Sequence, residues 1–265
     1  MVTKPVLLKL GGSLITDKSK HETLNLKNIG RLAAEIHEAH TQEGFEIVVG
    51  HGGGSFPHRH AYEHQTQKGV SSAKSRRGIA LVQDAAARLN RIVVTALLEA
   101  GENAISMQPS AWAMTKNSAI CEGFIRPIES ALKLGMVPVP YGDVAFDSAM
   151  GCSIISTEKI LGFLAGRMGS KRIIIAANED GVWADFPRNE IMISEINSEN
   201  FNALKKHLKG SKDIDVTGGM LHKVERVLAI AKESGAEVLI INGSVPGRVK
   251  DALLGKKVIG TRIRA

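Results

Sequence analysis

Cysteine occurs only twice in 265 residues, at Cys121 and Cys152, far apart and without metal-ligand spacing. That excludes a disulfide scaffold and a thiolate metal site, and predicts two reduced core thiols. Aromatics are also scarce, at 4%, although hydrophobic residues reach 43%. The apolar content is therefore mostly Val, Ile, Leu and Ala, which suits a buried sheet. No apolar run approaches the roughly 20 residues of a membrane span, so no membrane association is expected. Lys4 and Lys9 bracket an apolar run too short for a secretory signal, and the expected location is cytoplasmic. The net charge is +7, but the cations are dispersed apart from short pairs such as Arg76-Arg77 and Lys205-Lys206. Without a basic helix face or interleaved aromatics, nucleic acid is not an expected partner.

Several familiar signatures are missing as well. There is no G-x-x-x-x-G-K-[ST], which argues against a P-loop NTPase. Gly52-x-Gly54 meets Pro57 where a dinucleotide site needs its third glycine, and the same proline spoils Gly53-x-Ser55 as a nucleophile elbow. His51, His58, His60 and His64 crowd one stretch, yet they lack an H-E-x-x-H core, a cysteine or a suitable carboxylate pair. No metal site is expected from them. A histidine just past a glycine turn reads better as a hydrogen-bond donor to an anionic substrate.

What is present is a regular alternation. Periodicity predicts strands at 6–10, 46–50, 103–107, 137–141, 172–176, 237–241 and 258–262, and a hairpin over 144–155. Helices are predicted at 26–40, 72–100, 127–134, 157–168, 200–208, 219–234 and 249–254. Most strands are continuous apolar runs. The expected class is α/β: a three-layer α/β/α sandwich with a mainly parallel open central sheet, forming a single domain over 1–265. Ligands in such sheets sit beyond the C-terminal strand ends. Lys9, Gly52–Gly54, Asp143 and Asn178–Gly181 should gather on that edge.

Three glycine-rich segments follow or precede such elements: Lys9-Leu10-Gly11-Gly12-Ser13, His51-Gly52-Gly53-Gly54-Ser55-Phe56 and Asp215-Val216-Thr217-Gly218-Gly219-Met220. Glycine at a strand-to-helix handover lets backbone amides approach an anion closely. Lys9 ends a strand, where a lysine either snorkels to water or faces an anion. Lys223 lies one turn inside the helix that follows the third segment. The pattern suits a protein that grips phosphates.

These segments, with Ser106–Ala111, Tyr141–Val144 and Gly260–Ile263, occur in an order and spacing that resemble the amino acid kinase superfamily, within it the isopentenyl phosphate kinase branch. The resemblance covers nearly the whole chain. It implies transfer of the ATP γ-phosphoryl group to isopentenyl phosphate, with Mg2+ balancing ATP, and a homodimer is expected. It places the acceptor side at roughly 1–165 and the ATP side at roughly 166–265. Lys9, Lys18, His58 and Glu158 are implied as catalytic residues, and Gly53, His58, Ser156 and Thr157 as acceptor contacts. Lys9, Gly11, Gly12, Ser13, Gly54, Asp180, Gly218, Gly219 and Lys223 are implied at ATP. Phe56, Ile79, Val82, Gln83, Ile154 and Ile155 are expected walls of an apolar tail pocket.

Two departures stand out. Thr157-Glu158 replaces the family's usual Gly-Asp, putting a side chain where the acceptor phosphate is expected to approach. Pro57 replaces a glycine before His58, which would stiffen or redirect that histidine. A kinase of another small phosphate or phosphonate, as in fosfomycin kinases, is the nearest alternative. A non-catalytic ligand sensor on the same fold is another, and would be expected to lose Lys9 or Lys223.

Overall fold

The computed structural model describes residues 4–185, 188–208 and 219–265. The expectations placed on 215–218, Gly218 among them, lie outside the described residues.

The opening strand Val6–Leu10 pairs in parallel on both sides, with Ile47–His51 and with Arg172–Ala177. Leu8 stands opposite Val49 on one side and Ile174 on the other. Strand Glu237–Asn242 adds in parallel beyond Arg172–Ala177, Thr261–Ile263 pairs antiparallel to it, and Glu195–Ile196 closes that edge. At the other edge a parallel bridge joins His51 to Tyr141, which brings in the parallel pair Val137–Pro140 and Ala104–Met107. The result is the expected open, mainly parallel sheet.

Both faces are covered, which is why the strands read as continuous apolar runs. Alternation along each strand sorts the side chains between two cores. Leu8, Leu10, Val49 and Ile174 pack under helices Leu26–Glu43, Ala73–Glu99 and Arg248–Leu253. Leu7, Val48, Ile173 and Val238 pack under Thr157–Met168 and Gly219–Ser234. Lys9 shares the parity of Leu7, so its stem leaves the sheet toward the start of helix Thr157–Met168.

The hairpin expected over 144–155 forms as antiparallel Asp143–Asp147 and Gly151–Ile155. Asp147 ties its turn by accepting from the amides of Ala149 and Met150, each at 2.9 Å. This hairpin joins a second, unforeseen one, Ala113–Lys116 with Ala119–Gly123, in a small four-stranded sheet. Cys121 lies exposed on that sheet while Cys152 is buried, so only one of the two thiols belongs to a core. The last strand is Thr261–Ile263 rather than 258–262, and Pro57–Glu63 forms a helix where none was predicted.

Candidate active site

The first two glycine turns touch. Gly11 leads into a single helical turn, Gly12–Ile15, and Gly52–Gly54 leads into helix Pro57–Glu63. A Cβ on Gly12 would lie 2.4 Å from the Gly54 nitrogen, and Gly54 itself sits at φ +56°. Both positions are closed to any side chain. Thr16 pins the contact: its hydroxyl donates to Gly12 O at 2.8 Å and accepts from the Ser55 amide at 2.9 Å. Gly11 is already engaged within the sheet. Its amide donates to Ala176 O at 2.8 Å, and a Cβ there would lie 2.9 Å from the same oxygen. The Ser13 carbonyl accepts from the Asn178 side chain at 3.3 Å.

Lys9 and Glu158, both implied as catalytic, are paired. The Lys9 ammonium donates to Glu158 Oε1, with the two side chains 12% and 22% exposed. Ser156 caps the helix that carries Glu158, accepting from the Lys159 amide at 3.4 Å. Burial alone would push the Glu158 carboxyl up. The adjacent Lys9 charge and hydrogen bond, with donors from its own amide and Ser156, outweigh that and hold it at about 2. An ionised carboxylate at this helix start also favours the dipole.

The expectation that Thr157 crowds the acceptor phosphate is corrected. Thr157 is 1% exposed, and its hydroxyl donates to His51 O at 2.6 Å. Its methyl fills the space over Gly50, 2.7 Å from where a Cβ there would sit. The side chain has turned into the sheet, so any contact from Thr157 to a phosphate comes from its backbone.

His58 stands exposed on the first turn of helix Pro57–Glu63. Pro57 occupies the first helical position, where its missing N–H costs nothing. Its ring lies where a Gly53 side chain would be, 2.4 Å from that Cβ position. The proline therefore packs the turn and fixes the helix start beneath His58. Partial desolvation, and then the nearby Lys18 charge, hold the His58 imidazole below its ordinary value. Lys18 and His58 thus face a common region. His51, by contrast, is structural. It is fully enclosed, stacks on Tyr141 with ring centroids 5.5 Å apart, and lies 3.1 Å from both Asn90 Nδ2 and Gly52 O. Burial lowers its pKa to about 4, so it is neutral.

On the opposite side of Lys9 the residues expected at ATP lie in different settings. Asp180 follows strand Arg172–Ala177 but is paired with Arg248, a residue that motif reading did not single out. Asn178 accepts from Ser244 Oγ at 3.1 Å. Gly219 opens helix Gly219–Ser234, and Lys223 is exposed on its second turn. Among the described residues, no hydrogen bond or ion pair joins Lys223 to the Lys9–Glu158 pair. The proposed tail walls also divide. Ile79, Val82 and Ile154 meet with Ala61, Val144 and Cys152 in a small satellite cluster. Phe56 and Ile155 belong to the two main cores instead, and Gln83 is half-buried.

Comparison with known proteins agrees with this architecture. The sequence model of the amino acid kinase family matches residues 4–242. An isopentenyl phosphate kinase of Methanothermobacter thermautotrophicus is 37% identical, covering 97% of this chain and 98% of its own. A solved isopentenyl phosphate kinase superposes with TM-score 0.83 at 35% identity, over 97% of this chain and 99% of that one. A product complex of the Thermoplasma acidophilum isopentenyl phosphate kinase gives TM-score 0.75 at 25% identity, over 98% and 100% of the two chains. With the sheet order, the paired glycine turns and a match over most of its length in agreement, this chain belongs to the amino acid kinase family.

Proposed function

We propose that the protein transfers the γ-phosphoryl group of ATP to isopentenyl phosphate, giving isopentenyl diphosphate and ADP. One observation carries the reading at the level of geometry. The turn beside Lys9 and the turn before His58 are in backbone contact at Gly12 and Gly54, so two phosphate grips meet at one place. The isopentenyl phosphate kinases that match along nearly the full chain support the choice of acceptor.

Phosphoryl transfer asks a protein mainly to position two anions and neutralise charge. In this reading an oxygen of the acceptor phosphate attacks the γ-phosphorus, and the bond to the bridging oxygen breaks with its electron pair leaving on ADP. The acceptor phosphate is largely ionised near neutral pH, with a second pKa of about 6, so no strong general base is needed. Lys9, oriented by Glu158, neutralises the transferred group from one side and Lys18 from the other. His58 donates to the acceptor phosphate, with Gly53 and the backbone at Ser156 and Thr157 nearby. Gly12, Ser13 and Gly54 take the ATP phosphates. Gly219 and Lys223 serve the ATP side from the second half of the chain, and Asp180 acts there through Arg248.

Magnesium fits this site as a companion of the nucleotide rather than in a protein cage. Of the carboxylates on that edge, Glu158 and Asp180 are committed to Lys9 and Arg248. Bound with ATP, it would supply charge neutralisation on the phosphates. A homodimer in the cytoplasm completes the proposal, checked by sedimentation of the purified protein and fractionation of its cells.

The test is ADP release with ATP, magnesium and a panel of isopentenyl phosphate, dimethylallyl phosphate, geranyl phosphate, fosfomycin and glutamate. Turnover should be fastest with a short prenyl phosphate. Turnover of fosfomycin but of no prenyl phosphate would transfer the assignment to the phosphonate alternative.

A further inference from the structure

The crowded histidines of the sequence disperse in the fold, and His60 alone of them finds a new setting. The segment after Asp17 turns back as a short ribbon, Thr16–Asp17 paired with Thr23–Leu24. Its tip is ordered by Asp17, which accepts from the Ser19 amide at 2.9 Å and the Ser19 hydroxyl at 2.7 Å. The ribbon delivers His21 and Glu22 against helix Pro57–Glu63. Ligating atoms of His21, Glu22 and His60 all lie within 4.8 Å of one another. His60 Nε2 is 3.5 Å from Glu22 Oε1, and the two imidazoles meet edge to face at 5.5 Å.

We propose that His21, Glu22 and His60 form a site for a borderline transition-metal ion such as Zn2+, and that occupancy ties the loop bearing Lys18 to the helix bearing His58.

Two imidazole nitrogens and one carboxylate oxygen give three protein ligands. That leaves one open tetrahedral position for water. Nitrogen-rich donors select zinc, cobalt or nickel over magnesium, so the site would not compete with the nucleotide for its ion. Two further observations suggest a site that is held in place. Glu22 adopts φ +47°, a conformation that side chains other than glycine enter at some cost and that a surrounding structure must impose. Its amide faces Ser55 O at 3.4 Å, which fastens it to the second glycine turn. Its carboxylate is also oriented from behind: Arg88 donates to Oε2 at 2.6 Å and to Oε1 at 2.7 Å, and Asp84 balances that guanidinium at 2.9 Å. Outer partners of this kind commonly aim a ligating carboxylate. Each oxygen keeps a second lone pair for a metal.

The test uses untagged, nucleotide-free protein titrated with ZnCl2 by calorimetry and with CoCl2 by visible absorption. One equivalent should bind, with the intense d–d bands of a four- or five-coordinate Co2+ site. His21→Ala and His60→Ala should each weaken zinc at least tenfold and abolish those bands, while His222→Ala should change neither. Zinc should also slow tryptic cleavage after Lys18 and Lys20 in the wild type but not in His60→Ala. Weak binding at several equivalents, or binding untouched by either cluster variant, would overturn the proposal. So would zinc-independent cleavage at the loop. None of these readouts depends on turnover.

Discussion

Replacing Glu158 with glutamine tests the centre of the proposed mechanism. Gln keeps the size and an acceptor oxygen but removes the charge that holds the Lys9 ammonium. The Glu158 carboxyl is held at about 2 against an ordinary 4.5, a difference that corresponds to roughly 3 kcal/mol between its charged and neutral forms. Solvent reaches part of the pair, which is 12% and 22% exposed, and screening reduces the realised interaction to about 2 kcal/mol. Because the folded value is depressed, this stability is fully present above pH 4.5 and is lost as pH falls from there through about 2. Glu158→Gln should therefore lower Tm by several degrees at pH 7, and the deficit should shrink toward pH 3. Catalysis should suffer separately. A lysine freed from its partner no longer meets the transferred phosphoryl group at a fixed place, and a penalty of about 1.4–2.8 kcal/mol on the transition state is a 10- to 100-fold fall in kcat. KM for ATP should move little, since Glu158 is a positioning residue rather than a nucleotide contact. Glu158→Asp, which restores the commoner residue on a shorter arm, should recover most of kcat. Steady-state kinetics and calorimetric melts on the three proteins decide the matter. Wild-type kcat in Glu158→Gln would refute the reasoning.

Three further outcomes follow from the same geometry. Gly12→Ala drives a Cβ to 2.4 Å from the Gly54 nitrogen and 2.6 Å from its Cα; backbone cannot step aside as a flexible side chain can, so a loss of about 1–3 kcal/mol in thermal or urea unfolding is expected, with activity lost. His58→Ala should raise KM for the prenyl phosphate and lower kcat while leaving KM for ATP near wild type, and unchanged kinetics would remove His58 from the acceptor site. Glu102 lies 2.8 Å from His40 and 3.0 Å from His37, and its hydrogen bond raises the His40 pKa against the pull of burial. That contribution is present below about pH 6.5 and fades as pH rises through the raised value, so the Tm gap between wild type and His40→Gln should be wider at pH 6 than at pH 9.

The sheet was legible because its strands are buried on both faces and its helices carry long periodic stripes. Val6–Leu10, Ala73–Glu99 and Thr157–Met168 sit where periodicity places them, to within a residue or two. The short elements were not legible, for a shared reason. Helix Pro57–Glu63 has only two buried residues, Pro57 and Ala61, too few for a stripe, and its five polar or aromatic residues read as loop. The Ala113–Gly123 hairpin turns through Asn117 and Ser118, both at positive φ, without the glycine that usually announces such a turn. At the site, Lys9 and Glu158 could be singled out because their motifs stand at the ends of predictable elements. Arg248 could not, since it joins Asp180 across 68 positions of chain and no local pattern marks it. The Glu22 carboxylate was missed in the same way: its two histidines belong to different segments, and only the ribbon's fold-back unites them.

Thr157 shows how a departure from a motif can be absorbed away from the chemistry. A glycine inside a buried parallel strand is unfavourable unless something approaches it closely. Gly50 is such a residue, and what approaches is the Thr157 methyl. Gly142 completes the enclosure, with a Cβ there falling 3.3 Å from Thr157 Oγ1. The hydroxyl meanwhile donates to His51 O, the carbonyl that also receives the Gly142 amide at 3.1 Å. The threonine thus fills the seam between the main sheet and the Tyr141 edge, and fastens the strand that leads into the second glycine turn. Its volume lies in the sheet, so the Thr157 side chain does not project above the helix start. The electrostatics of that helix start then fall to Glu158, the next residue, whose longer arm reaches Lys9 without help from its neighbour. Two substitutions that look disruptive side by side in the sequence therefore act on different faces of the helix cap, one on packing and one on charge.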